Sequence, residues 1–293
     1  MAGAQFASDR LTAPAMAEDP AARESQGFYL LALNEALTLL LEEGRAPGWK
    51  RARSSHAALV AQTTAPPHFF AKIFFPRRWY EGVKTLFRGD RAYRTDWRTY
   101  ALQAAGFAAP AVVLRGRVKG LPFVITQALP GISVADYLDR PRVVALPTAG
   151  HTRQRRAVLR ALGVEIARLH EAGFFHTELR TSNIHVHLQP DGIPRFFFLD
   201  NEGTRRFMKL PWRRRVKNLA QLNMDHHHVS RTDRLRVLQA YVTATGLGSD
   251  LGALAREIHQ RTQRRRQENA MRAIRPDAPA SPTAASRFPT QTK

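Results

Sequence analysis

The chain has 293 residues, 45 Lys+Arg against 24 Asp+Glu, and a formal net charge of +21. It contains no cysteine, which excludes disulfides, iron–sulfur clusters, thiolate zinc sites and cysteine nucleophiles. A hydrophobic share of 44% argues against disorder over the full length, and the charge points to a polyanionic partner: nucleic acid, an anionic membrane or a phosphorylated glycan.

Residues 1–27 carry scattered charges and no apolar h-region, and read as a mobile leader. The apolar stretch FYLLALNEALTLLL (28–41) is interrupted by Asn34 and Glu35. It falls short of the roughly 20 residues a membrane-spanning helix needs. Residues 28–43 are predicted as an amphipathic helix packed on the body, with a membrane surface as the second option. Gly44, Pro47 and Gly48 end it, and 49–62 reads as one or two strands. After the turn at Pro66-Pro67, HFFAKIFF (68–75) reads as a strand, and period two puts Phe70, Lys72 and Phe74 on one face. The spacing predicts a helix over 87–105, with apolar Tyr93, Trp97, Tyr100, Ala101 and Ala104 recurring at three and four. Strands follow at 111–118 and 123–129, then a connector at 129–139 leading into a helix. Residues 153–172 are helical, with Val158, Leu159, Leu162, Ile166 and Leu169 as the buried stripe. A loop and strand (174–188), a turn at Pro190-Asp191-Gly192 and a return strand with its exit loop (195–203) come next. Helices are expected at 212–224, 230–245 and 248–267, and the last 25 or so residues read as disordered.

The fold class is α+β. A leader (1–27) precedes a small β-rich lobe with one main helix (28–127), a larger mostly helical lobe (128–258), and a basic, then disordered tail (259–293).

The most informative segment is His176-Thr177-Glu178-Leu179-Arg180-Thr181-Ser182-Asn183, followed after a hairpin by Asp200-Asn201-Glu202-Gly203. It resembles the catalytic loop and metal loop of protein-kinase-like phosphotransferases, H-x-D-L-x-x-x-N and D-F-G. The element order, with a strand lysine, helix, two strands and linker ahead of the loop, resembles the bilobal kinase fold as well. Such chemistry needs a carboxylate beside the acceptor hydroxyl, and an amide oxygen and an Asp converging on Mg²⁺. The resemblance implies Glu178 as base or orienter of the acceptor, with Arg180 neutralising the transferring phosphoryl group. It implies Asn183 and Asp200 as ligands of Mg²⁺, and Lys72 on the phosphates of ATP, oriented by Asp96 on the following helix. Glu81 lies too close to the strand for that role. The linker Gln127–Leu129 would offer backbone hydrogen bonds to adenine, and His185 would stack on the base. His176 organises the loop. Glu178 stands where Asp is usual, which leaves open an active enzyme and a kinase-fold binding protein. No G-x-G-x-x-G is present; a degenerate flap falls at Lys50–Ser55, equally readable as a solvated hairpin. His226–His228 is a weak metal tract.

The stretches TDWRTYALQAAGFAAP, LPFVITQALPG, ARLHEAGFFHTELRTSNIHV, FFFLDNEGTRRF, RVKNLAQLN and RTDRLRVLQAY look like the lipopolysaccharide kinase family of Gram-negative bacteria, the Kdo and heptose kinases of the core oligosaccharide. The resemblance implies ATP-dependent phosphorylation of a core sugar hydroxyl at the cytoplasmic face of the inner membrane. Its partners would be lipopolysaccharide core or lipid A glycolipid and the anionic membrane surface. After Gly203 there is no A-P-E; Arg205, Arg206, Lys209, Arg213, Arg214, Arg215 and Lys217 follow at once. That run suits an anionic acceptor better than a peptide. A second block, Arg261 to Arg275, suits anionic lipid, each cation adding about 1 kcal/mol. A small Ser/Thr protein kinase remains an alternative. A nucleic-acid binder is another, although no such motif is visible and no specific nucleic acid is expected.

Overall fold

The computed structural model describes residues 20–52, 54–55, 57–76, 89–139, 149–224, 229–247 and 250–274. The expectations for Glu81, Arg53 in the flap, His226–His228 and the extreme tail lie outside these residues.

Helix α1 (Pro20–Glu42) begins eight residues before the sequence pattern suggests. Its Leu37 and Leu40 are fully buried against Leu59, Ala71, Ile73 and Ile125 of a sheet, while Leu30 and Leu31 are exposed. The sheet is antiparallel and contains β1 (Trp49–Arg51), β2 (Ala58–Thr63), β3 (Phe69–Phe74), β4 (Val112–Val118) and β5 (Leu121–Gln127), in the order β1-β2-β3-β5-β4. Strand β3 is central. Its Lys72 stands opposite Val60 on β2 and Val124 on β5. Alternation sends Ala71 and Ile73 towards α1, and Phe74 joins Ala58, Ala92 and Val124 in a second cluster on the other face.

Helix α2 (Arg91–Ala104) is capped by Asp90, whose carboxylate accepts the Tyr93 N–H. Its buried positions are Arg91, Ala92, Thr95, Thr99 and Leu102. Hydropathy alone picks the opposite face. Tyr93, Trp97 and Tyr100 are 43%, 54% and 45% exposed. The reason lies in what α2 packs against: a loop rich in hydrogen-bond acceptors, described below, which demands donors from the helix.

The linker leads through β6 (Ile132–Ser133) into α3 (Val134–Asp139). Helix α4 (Ala149–Glu171) is the spine of the helical part, and the five residues of its expected stripe are at most 1% exposed. It crosses α6 (Arg231–Thr245) closely. A Cβ on Gly163 would lie 2.3 Å from the Val237 carbonyl oxygen, so glycine permits the approach. Strands β7 (Phe174–Phe175), β8 (Ile184–Leu188), β9 (Pro194–Phe198) and β10 (Arg205–Arg206) form two small sheets, β6-β8-β9 and β10-β7. Helix α5 (Trp212–Leu222) packs on α7 (Leu251–Ile274). Leu254, Ile258 and Thr262 are buried, and Asn223 donates to Thr262. Helix α7 therefore runs unbroken past residue 259, where the sequence reading began a tail.

Candidate active site

The site is assembled where β3, the loop after β7 and the loop after β9 meet. Leu179, fully buried, pins the first loop to the main core. The Glu178 carbonyl accepts both the Arg180 N–H (2.8 Å) and the Asn183 side-chain amide (2.9 Å). Asn183 thus commits its nitrogen to the loop and keeps its oxygen as an acceptor.

His176 is wholly buried and bridges the two loops. Its Nδ1 accepts the Glu178 N–H at 3.3 Å, and its Nε2 donates to the Leu199 carbonyl at 2.9 Å. These partners fix the neutral Nε2–H tautomer. Burial pushes its pKa below the ordinary histidine value, against the pull of the Leu199 carbonyl and Asp200. The role expected of it, organising the loop, is the one its hydrogen bonds serve.

Asp200 opens the second loop in a left-handed conformation (φ 57°, ψ 50°), uncommon for a non-glycine residue. Its Oδ1 accepts from Lys72 Nζ at 2.7 Å, a bond joining the sheet to the helical part. Burial raises the Asp200 carboxyl, but the Lys72 charge and hydrogen bond, with a contribution from Arg91, hold it below the ordinary carboxylate value. Gly203 lets the two loops touch: a Cβ there would lie 1.8 Å from the Thr177 hydroxyl oxygen.

Glu178 and Arg180 form an ion pair at 3.3 Å between half-exposed side chains. The buried Arg180 Nε makes no hydrogen bond among the described residues, so the contact is electrostatic and poorly aligned. His185 lies on β8 opposite Phe197, half-buried, with its Nδ1 unpartnered among the described residues. Burial lowers its pKa, while Asp136 acts in the opposite direction.

Two expectations are corrected. Asp96 does not orient Lys72; its carboxylate pairs with Arg115 of β4 at 3.0 Å, both side chains partly exposed. The turn of α2 that carries Asp96 places it beside the sheet edge, and Lys72 takes Asp200 instead. The linker offers fewer free donors than expected. The Gln127 N–H is bonded to the Ala111 carbonyl and the Ala128 N–H to the His68 carbonyl. Leu129 is left as the linker residue without a described backbone bond.

The residues the sequence did not single out are those that hold the loops. Arg91 grips the Glu202 carboxylate with three contacts of 2.8–3.1 Å, also donates to the Ala57 and Phe75 carbonyls, and lies over the Phe74 ring. Arg98, two turns on, donates to the Glu202 carbonyl. Asn201 donates to the Phe198 carbonyl and to Thr99. Below, Asn218 of α5 accepts the His176 N–H and donates to the His176 carbonyl, and Gln221 donates to the Thr177 carbonyl. Asn218 also accepts from His170, whose Nδ1 accepts the Tyr241 hydroxyl. Asn218 and Gln221 are three apart on a buried face that also carries Val216, Leu219 and Leu222, which is a signal readable in the sequence.

The sequence profile of the "Lipopolysaccharide kinase (Kdo/WaaP) family" matches residues 95–241. The chain belongs to this family. Among solved structures, "WaaP in complex with acyl carrier protein" aligns with a TM-score of 0.54 at 21% identity, covering 78% of this chain and 95% of that one. WbdD aligns at 0.46 and 16% identity, covering 73% and 50%. The kinase domain of PknI from Mycobacterium tuberculosis aligns at 0.41 and 15%, covering 73% and 96%. No curated protein gives a significant match. The WaaP likeness shows a protein-kinase-like fold, and family membership implies a phosphotransferase directed at lipopolysaccharide. The matched span holds both site loops, while Lys72 precedes it. No helix among the described residues is long and apolar enough to cross a membrane.

Proposed function

We propose that this protein transfers the γ-phosphoryl group of ATP to a sugar hydroxyl of the lipopolysaccharide core, working at the cytoplasmic face of the inner membrane. The observation that supports the catalytic half is that the Lys72–Asp200 ion pair lies on one loop and Glu178 and Asn183 on the other, the two held together by His176 and by the Leu199 N–H bonded to the Asn183 carbonyl. Lys72 holds the nucleotide phosphates. Asp200, kept ionised, and the amide oxygen of Asn183 are hard oxygen donors of the kind Mg²⁺ takes, alongside phosphate oxygens and water. When bound, the cation neutralises charge developing on the phosphoryl group. Glu178 accepts or orients the proton of the acceptor hydroxyl, and Arg180 beside it faces the transferring group. The Leu129 N–H and the His185 ring are the remaining candidates for adenine contacts.

The acceptor half rests on charge. Arg214 and Lys217 of α5 lie over the Phe175 ring. Burial lowers the Lys217 pKa, and crowding by Arg265, Arg261 and Arg214 lowers it further, while Glu178 opposes. Lys217 thus lies among cations of α5 and α7 and within electrostatic reach of Glu178, which favours an anionic acceptor such as a phosphorylated glycolipid. Arg215, in the same basic run, does not belong to this surface. It is 6% exposed and ion-paired with Glu171 at 2.6 Å.

The test is phosphate transfer from ATP to purified core glycolipid, with and without Mg²⁺. Asp200→Ala should abolish transfer and Asn183→Ala should raise the Mg²⁺ requirement. Undiminished transfer by Asp200→Ala overturns the reading. Mass spectrometry of core oligosaccharide from a deletion strain should then show one phosphate fewer, at a position that names the sugar.

A further inference from the structure

The outward face of α2 presents aromatic rings that the core does not use. Trp97 is 54% exposed and stacks with Tyr100 at 6.2 Å between centroids. Single exposed aromatics need no explanation. These ones border a pocket of about 570 Å³ between α2 and the segment that follows the Asp200 loop. Tyr93 and Trp97 line it together with Arg94, Arg98, Arg205 and Arg206, and among the described residues no carboxylate does. Three other guanidiniums are each neutralised by a carboxylate: Arg91 by Glu202, Arg155 by Asp233, Arg215 by Glu171. Here Arg94 donates only to the Gly89 carbonyl, Arg206 lies over the Phe174 ring, and neither they nor Arg205 have a carboxylate partner among the described residues. A second sign of an absent ligand is Thr204. It lines the same pocket, is 2% exposed, and its hydroxyl has no hydrogen-bond partner among the described residues.

We propose that this pocket binds a phosphate-bearing saccharide, an anchoring subsite for a phosphorylated part of the acceptor beyond the reacting sugar. Planar guanidinium forks match phosphate oxygens in pairs. The π face of Trp97 carries partial negative charge and takes the C–H face of a pyranose. The volume fits a small saccharide, whereas inorganic phosphate alone would leave most of it empty. The pocket is concave rather than a track along which nucleic-acid phosphates could repeat. Thr204 and Arg205 follow Asp200 by four and five residues, so a ligand here adjoins the transfer site. The inference rests on the glycolipid-kinase reading, which it deepens.

The test is calorimetric titration of the full chain, without ATP, by deacylated phosphorylated core oligosaccharide. Controls are the same oligosaccharide after dephosphorylation, inorganic phosphate, and a single-stranded DNA oligonucleotide. The dephosphorylated probe and the variant Arg205→Gln/Arg206→Gln should each weaken binding by about tenfold or more, the size of a lost charge-assisted pair. Trp97→Ala should weaken the oligosaccharide several-fold and leave inorganic phosphate unchanged. All three altered residues are exposed, so the thermal midpoint should be retained. Unchanged oligosaccharide affinity in either variant overturns the inference, as does a DNA affinity that matches the oligosaccharide and falls in parallel. Binding that behaves as expected in a protein with no phosphate transfer would sink the kinase reading and leave the subsite standing. Transfer with unaltered binding in the variants would do the reverse.

Discussion

Glu202→Gln tests whether α2 controls the metal loop through Glu202. The exchange keeps shape and removes one charge, leaving the Arg91 guanidinium, 8% exposed, without its counterion. Removing one partner of a buried ion pair costs about 3–5 kcal/mol. Here the cost is smaller, about 2–3 kcal/mol, because Arg91 keeps the Ala57 and Phe75 carbonyls and Gln can still accept one bond. At roughly 2–4 °C per kcal/mol for a chain of this size, the midpoint should fall by about 5–10 °C. Mg-ATP affinity should drop as well, since Glu202 is two residues from Asp200. The assay is calorimetric unfolding at neutral pH, paired with nucleotide titration. Asp96→Asn serves as the comparison: its pair with Arg115 is exposed, so it should cost about 0–1 kcal/mol and leave nucleotide binding alone. If Glu202→Gln is no more harmful than Asp96→Asn, the clamp is not what places the loop. A double-mutant cycle with Arg91→Met should return a coupling of about 1 kcal/mol or more.

Acid should destabilise the fold well above the carboxylate range. Burial pushes the His170 pKa down to about 3, against the hydrogen bond to Asn218, and His176 shifts the same way. A histidine held neutral when folded contributes stability that is complete above its unfolded value and is lost as pH falls from about 6.5 towards the folded value. Unfolding free energy from urea titrations should therefore fall between pH 6.5 and 4 by about 1.4 kcal/mol per pH unit from His170, with His176 acting in the same direction, and His170→Gln should flatten the slope. Glu178→Gln should slow phosphate transfer by about 10²–10⁴-fold with Mg-ATP affinity unchanged, whereas Glu178→Asp should retain transfer; single-turnover kinetics at saturating nucleotide decides it. Asn218→Ala leaves the His176 N–H and carbonyl without partners in a buried site. It should cost about 2–4 kcal/mol, from two unmet groups, and lower kcat more than it raises KM. A variant as stable as the parent would show that α5 does not support the loop.

What the residues determined by themselves is what local pattern can encode. Strand period two set Lys72 and Phe74 on one face of β3, because alternation follows from backbone geometry alone. The stripe of α4 was readable because a helix buried on one side must repeat its apolar residues at three and four. The loop residues His176, Glu178, Asn183 and Asp200 were readable because their chemistry fixes both residue type and spacing. Tertiary structure decided what depends on the partner. Helix α2 carries two faces of equal periodicity, one aromatic and one of Arg91, Thr95, Arg98 and Thr99; hydropathy favours the first. The loop at Glu202 presents a carboxylate and a carbonyl, and burying such acceptors without donors is costly, so the polar face turned inward and the rings stayed out. For the same reason Asp96 went to Arg115, and one basic run was divided among a buried pair at Arg215, the approach to Glu178 and the pocket beneath Trp97. The excess of 21 positive charges was visible from the sequence alone, but only the fold decided which cations meet a carboxylate and which are left to meet a ligand.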